Sequence, residues 1–227
     1  MGPNHIIAVR HGESAANRAF RLAGTTPLVY QPGDDEVTLT ELGRTQAAAL
    51  GRLLAALPAG EAPELVWCSP YRRALDTWRV AQRAWGIDPA LPVTVDGRLR
   101  DQEAGTFARL NLAAIKERFP AELARREAEG AYAYRPPGGE SLGDVVARLR
   151  LLLADLGGRA DGRRVLIVAH DSVVLGLRHV IAGSPDADLA AVLEHAPVLN
   201  ASVSVWRAGG GRFELVRFND VTHLGAR

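Results

Sequence analysis

The chain holds one cysteine (Cys68), one lysine (Lys116) and one methionine among 227 residues. A single thiol excludes an intramolecular disulfide framework. No apolar run reaches the roughly 20 residues that a membrane-spanning helix needs. No apolar stretch follows a basic start in the manner of a secretory signal either, so the cytoplasm is the expected compartment and no membrane partner is expected. An excess of one charge is also missing: 27 basic and 26 acidic side chains leave a formal net charge of +1. That balance supplies no field to draw in nucleic acid, and only a local cluster of arginines could make a positive pocket. No internal repeat or low-complexity tract is present. The length suits one domain, residues 1–227, able to bury most of its apolar surface without staples. Oligomeric state has no signature in the sequence.

What is present is an alternation of short apolar runs with helical patterns. Ile6-Ile7-Ala8-Val9 ends abruptly in Arg10-His11-Gly12-Glu13, reading as a buried strand that delivers a charged tip into a loop and helix start. The stretch from Gly24 to Val37 is rich in turn residues and is expected over or beside that tip. Thr40 then heads a helix whose Leu50, Leu53, Leu54 and Leu57 recur at helical spacing until Pro58 stops it. Glu64 to Cys68 is a second strand running into Ser69-Pro70-Tyr71-Arg72-Arg73-Ala74, with Pro70 near a helix start. Pro92 to Val95 is a shorter strand, followed by Leu99-Arg100-Asp101-Gln102-Glu103-Ala104-Gly105.

Residues 110 to 130 are helical in character, broken at Pro120 and mostly polar, and with their flanks (about 108–140) read as an inserted lid. Ser141 and Asp144 form a capping-box start for a helix carrying Val145, Leu149, Leu152, Leu153 and Leu156. Arg164 to Ala169 is the clearest strand, apolar without interruption as in parallel sheets covered on both faces, and it delivers His170-Asp171. Helices are expected over Val173–Ala182 and Leu189–His195. A hairpin of Ala201–Trp206 and Phe213–Phe218 around Gly209-Gly210-Gly211 closes the chain. The expected fold is α/β: a three-layer sandwich whose mostly parallel central sheet is flanked by helices, with a helical insertion over the site.

Separate strand-to-helix junctions thus present Arg10 and His11, Arg73, Asp101 and His170. Ligands of open α/β sheets bind outside the carboxyl ends of the strands, and guanidinium and imidazole groups there are suited to an anion. Imidazole can also attack phosphorus. Arg10-His11-Gly12-Glu13, the Ser69-to-Ala74 stretch and His170 after a late apolar strand resemble, in order and context, the histidine phosphatase (phosphoglycerate mutase-like) superfamily. The resemblance implies that His11 is a nucleophile that becomes phosphorylated, that Arg10 and Arg73 hold phosphate oxygens, and that His170 completes the pocket. It also sets Asn17 and Gly24 where the family contacts phosphate or substrate, and Asn200 at another family position. Leu99-Arg100-Asp101 followed by Gly105 resembles the family's acid stretch and implies Asp101 as general acid, although many relatives carry Glu there. Glu103 would point the same way from an extended segment and stands as the alternative. Asp171 departs from the Gly that commonly follows the second His; beside a phosphate it must be turned outward or paired.

Chemically, two arginine forks and a protonatable His stabilise charge spread over the transferring phosphoryl oxygens while neutral His11 attacks in line, a scheme requiring no metal or other cofactor. The implied activity is hydrolysis of small phosphomonoesters. Phosphoglycerate mutase-type transfer and a non-catalytic binding domain on the same fold are the alternatives. Other candidates have ordinary structural readings. Glu13 reads as a helix-start carboxylate, Glu140 as a support for Arg135 or a loop amide, and Cys68 as a core residue. His5, His179, His195 and His223 read as non-catalytic, and Arg125-Arg126 as a solvated face. Arg109, Lys116, Arg118 or the Arg125-Arg126 pair could alternatively meet a second anionic group.

Overall fold

The computed structural model describes residues 2–183 and 197–225. Six strands form one sheet: β1 (His5–Arg10), β2 (Leu65–Cys68), β3 (Val93–Val95), β4 (Arg164–Ala169), β5 (Val203–Gly209) and β6 (Arg212–Asp220). Their order is β3-β2-β4-β1-β5-β6. The first four run parallel, and the hairpin β5–β6 joins antiparallel on β1. The expected mostly parallel sheet and closing hairpin are therefore present. Among the described residues the helices are α1 (Ala15–Ala23), α2 (Glu41–Ala55), α3 (Arg72–Trp85), α4 (Leu112–Arg118), α5 (Pro120–Glu129), α6 (Leu142–Arg159) and α7 (Asp171–Ala182). None is long and apolar enough to cross a membrane.

The uninterrupted apolar run of β4 is explained by its two covered faces. Val165, Ile167 and Ala169 pack with Leu149, Leu152 and Leu156 of α6 and Val173 and Val174 of α7. Leu166 and Val168 meet Leu50 and Leu54 of α2 and Ala74 and Trp78 of α3 on the opposite side. Alternation along a strand sends neighbours to opposite faces, so a strand with helices on both must be apolar throughout. Burying each such side chain contributes about 1.5–3 kcal/mol relative to leaving it in water. β3, at the sheet edge, leaves Val93 and Val95 exposed.

Local chemistry sets most boundaries. Ser14 and Asn17 make a reciprocal capping box at the start of α1, and Ser141 with Asp144 makes another for α6. Pro120 opens α5; a residue before proline is pushed away from helical geometry, which separates α4 from α5 at Phe119. Several boundaries differ from expectation by a residue or a few, and two of these lie at the site. The last hairpin starts at Val203 rather than Ala201, because Ala201 takes a left-handed φ of 56° and its N–H turns onto the carbonyls of Arg10 and His11. Asp171 already belongs to α7, with His170 as its cap. The helix expected over Leu189–His195 lies outside the described residues. Asn111 ties the early excursion to the later helices: its side chain receives the Leu28 and Ala114 N–H groups, each at 2.9 Å, and donates to the Thr26 carbonyl at 2.8 Å.

Candidate active site

Register brings the two imidazoles together. Arg10 of β1 lies opposite Ala169 of β4, so the next residues, His11 and His170, leave adjacent parallel strands side by side. Their rings stand edge to face, 5.3 Å between centroids. Gly12 lets α2 approach closely there: a Cβ on it would collide with the Gly43 backbone of α2. Its N–H donates to the Thr77 hydroxyl at 3.1 Å.

His11 is buried, and its Nδ1 lies 2.7 Å from the Gly12 carbonyl. A carbonyl only accepts, so Nδ1 carries the proton and Nε2 the lone pair. Arg73 Nε donates to that lone pair at 3.2 Å. Burial, then the charges of Arg73, His170 and Arg10, hold the His11 pKa well below the ordinary histidine value. The ring is thus neutral, with its nucleophilic nitrogen facing a guanidinium.

His170 is 0% exposed, and burial followed by Arg73, Arg10 and Arg148 lowers its pKa in the same way. Its Nε2 lies 2.8 Å from the Ser69 hydroxyl, and its Nδ1 faces Asp101 Oδ2 at 3.4 Å. Tyr71 stands edge-on to His170 and under the Arg73 guanidinium. Arg73 sits in the first turn of α3 and His170 is the N-cap of α7, and neither helix start is capped by the side chain of its N-cap residue, so the N-termini of two helices border the site, a placement favourable to an anion.

Arg73 is saturated. Its Nε meets His11; Nη1 meets the Asp34 carbonyl at 2.5 Å and Oδ1 at 3.0 Å; Nη2 meets Asp34 Oδ2 at 3.4 Å and Asp101 Oδ2 at 3.0 Å. A guanidinium has five N–H donors, and all five are spent. Burial pushes the Asp34 carboxyl above its ordinary pKa, with Arg73 opposing the rise.

Of the two candidate acids, Asp101 enters the pocket and Glu103 does not. Asp101 Oδ1 accepts from Ser172 Oγ at 2.7 Å and from the Gln102 N–H at 2.9 Å, leaving Oδ2 toward Arg73 and His170. Glu103 is 46% exposed and pairs with Arg100 at 2.8 Å. Asp171 is paired as its position demanded, 3.6 Å from Arg10 Nη2. Arg10 Nη1 donates to the Val198 carbonyl. Asn200 donates at 3.1 Å to both the His11 carbonyl and Asn17 Oδ1, which ties Asn17 to the strand end that carries His11. Gly24 instead closes the far end of α1, about 13 Å along the helix from its start.

The remaining candidates have structural partners. Glu13 is braced by Thr40 and Arg21, each at 2.8 Å, which hold its pKa down against the opposing effect of burial. Glu140 supports a loop amide, that of Glu103, but not Arg135, which pairs with Asp144. Burial pushes the Cys68 thiol up to about 12. His5 accepts from Arg207 at 2.7 Å, and His179 is buried beside Tyr132. Arg125 is engaged by Glu122 and Glu129. Arg109 donates to the Gln31 carbonyl. His195 lies outside the described residues. Sequence reasoning missed Asp34, Ser69, Tyr71 and Ser172 as site residues. Ser69 and Tyr71 lay inside the recognised stretch, whereas Asp34 and Ser172 reach the pocket through contacts 39 and 71 residues apart in sequence.

A mostly parallel sheet that gathers two imidazoles and two guanidiniums beyond its strand ends, with two carboxylates set against them, defines a class of α/β protein whose site suits an anionic ligand. The chain belongs to the histidine phosphatase superfamily (branch 1), whose family model matches residues 6–221. Phosphoryl transfer through a histidine intermediate is that family's mechanism. The chain is 32% identical over 238 residues to glucosyl-3-phosphoglycerate phosphatase of Mycobacterium tuberculosis, covering 100% of this chain and 97% of that one. It is 34% identical over 170 residues to phosphoglycerate mutase-like protein AT74 of Arabidopsis thaliana, covering 73% of this chain but 50% of the relative, so it spans about half that protein's length. A solved structure of mycobacterial glucosyl-3-phosphoglycerate phosphatase in complex with VO3 superposes with a TM-score of 0.76 at 30% identity, covering 96% of this chain and 100% of that one.

Proposed function

We propose that this chain is a single-domain cytoplasmic enzyme that hydrolyses small phosphomonoesters through a phosphohistidine on His11. The observation that carries the reading is the neutral His11 with its Nε2 lone pair directed at Arg73 and beside His170. An incoming phosphate takes the place of Asp34 on Arg73, because no guanidinium donor is otherwise available. Asp34 sits on a short 3-10 turn, Asp34–Glu36, with its side chain 46% exposed, so its withdrawal disturbs no core. Arg10 and Asn17 complete the cradle, and Gly24 with residues 108–140 borders the substrate's remainder.

His11 Nε2 then forms a bond to phosphorus as the P–O bond to the leaving group breaks. Protonated Asp101 gives its proton to the departing alkoxide, and two guanidiniums and His170 stabilise the charge on the equatorial oxygens. Water attacks phospho-His11, surrendering its proton to the Asp101 carboxylate, and inorganic phosphate leaves. Names of relatives support phosphorylated sugar acids, such as glucosyl-3-phosphoglycerate, as the first class to screen. The experiment is hydrolysis of p-nitrophenyl phosphate with chelator present, in the wild type and in His11→Ala. Chelator-resistant turnover that the substitution abolishes is expected; equal turnover in the two proteins would overturn the reading. Return of the phosphoryl group to a phosphoglycerate acceptor instead of to water would identify mutase-type transfer.

A further inference from the structure

Asp101 sits on an irregular segment between 3-10 turns at Gly97–Leu99 and Gly105–Phe107. A general acid needs a defined distance and angle to the leaving oxygen, and an irregular segment has no ladder to provide them. Its peptide groups need partners from elsewhere. The Gln102 N–H donates to Ser172 Oγ at 3.2 Å and to Asp101 Oδ1 at 2.9 Å, and two buried side chains supply partners on either side of it. Arg148 of α6 makes a two-bond fork with Glu140: Nε to Oε1 and Nη2 to Oε2, each at 3.1 Å. The same guanidinium donates through Nη1 to the Arg98 carbonyl at 2.5 Å and through Nη2 to the Asp101 carbonyl at 3.1 Å.

Glu140 grips the segment from its other side. Oε2 accepts from the Glu103 N–H at 3.2 Å, Oε1 accepts from the Arg100 guanidinium, and the Glu140 carbonyl accepts from Gln102 Nε2 at 2.8 Å. The Glu140 N–H donates to the Glu103 carbonyl at 2.8 Å. The pair thus holds residues 98, 100, 101, 102 and 103. Both side chains are buried, and Arg148 is set beside Val145, Leu149 and Leu152 on the helix that fills the core. Burying an ion pair carries a desolvation cost that well-packed apolar residues avoid, so core stability alone gives no reason for one here. What apolar residues cannot do is hold carbonyls and amides of a loop in place.

We infer that Arg148 and Glu140 are positioning residues for Asp101, holding the acid at the level from which Oδ2 meets the leaving oxygen. The inference rests on the reading of Asp101 as the general acid. A shift of about 1 Å in such a group lowers rate by roughly a hundredfold.

The test compares kcat/KM for glycerol 2-phosphate, whose alkoxide needs a proton, with p-nitrophenyl phosphate, whose phenolate leaves without one. Arg148→Lys keeps the charge and loses the fork; Glu140→Gln keeps the shape and loses the charge. Either is expected to lower alkyl turnover about 30-fold and aryl turnover less than about threefold. Asp101→Asn is expected to lower alkyl turnover about 1,000-fold. In that background, Arg148→Lys is expected to leave the alkyl-to-aryl ratio unchanged. Equal losses on both esters, or a further selective loss in the double variant, would overturn the positioning role and leave the acid assignment standing. No alkyl selectivity in Asp101→Asn itself would overturn the acid assignment. Because two substitutions of different chemistry are read by the same ratio, failure of one to fold leaves the other to decide.

Discussion

The floor and the roof of the pocket are built differently. His11, Arg73 and His170 lie at strand ends and in the first turn of a helix, all buried, so each is positioned by hydrogen-bond ladders that hold whole elements. Asp34 and Asp101 come from short turns and loops, with side chains 46% and 23% exposed, and are held by individual side-chain bonds. The cationic and imidazole groups are therefore set by whole elements, Asp101 is held through its segment by Arg148 and Glu140, and Asp34, half-exposed on a short 3-10 turn, is the partner able to withdraw. Such a division suits a site that must admit a dianion. A carboxylate rigidly bound to Arg73 would exclude substrate, and a mobile nucleophile would lose its line of attack.

On p-nitrophenyl phosphate, whose phenolate leaves without a proton, damage to the floor must exceed damage to the roof. His11→Ala is expected to lower kcat on p-nitrophenyl phosphate by about 10⁴-fold or more, with rapid-quench labelling showing no phosphoenzyme. Arg73→Lys keeps a charge but loses the fork, and a loss of about 100-fold in kcat/KM is expected on the same substrate.

The competing carboxylate of the roof should respond with the opposite sign. Asp34→Ala removes the internal competitor, so inorganic phosphate should inhibit about tenfold more tightly, the equivalent of one charge-assisted hydrogen-bonding group. A weaker phosphate inhibition constant would mean that Asp34 supports the ligand instead of competing with it. Ser172→Ala, which removes one of the two donors to Asp101 Oδ1, should cost about three- to tenfold in alkyl kcat/KM, the worth of one ordinary intramolecular hydrogen bond.

The smallest effect is on stability. His11 and His170 have folded pKa values depressed below their unfolded ones. The unfolded chain therefore binds more protons below about pH 6.5, and the stability these rings contribute is fully present above that value and is lost as pH falls through it. Urea melts should show the midpoint falling on acidification, with less dependence in the double variant His11→Ala/His170→Ala. An unchanged slope would remove the burial argument for the floor.

Much of the floor was legible in the chain. The apolar run of β4 was read with its correct ends, and the β1 run, Pro120 and the Ser141–Asp144 box marked their elements through neighbours a few residues away. Arg10, His11, Arg73 and His170 each follow such a signal, so their place at strand-to-helix junctions was open to reading. The roof was less so. Asp101 and Glu103 are two residues apart and chemically alike; the resemblance of the Leu99-to-Gly105 stretch favoured Asp101, but the contacts that seat it come from Ser172, Arg73 and His170, 28 to 71 residues away. Asp34 carried no signal, since a carboxylate in a turn is usually solvated and only the fold brings Arg73 to it.

The sequence by itself determined the alternation of strands and helices, the mostly parallel sheet and the groups carried at its strand ends. Periodicity, caps and turn residues act over a few neighbours, so the chain states them directly. Only the tertiary structure decided that β1 and β4 align His11 beside His170, that Asp34 occupies Arg73, and that Glu140 and Arg148 hold the Asp101 segment. Those are contacts between distant residues, and they exist only once burial of the two sheet faces has fixed the register of the strands and the placement of the helices.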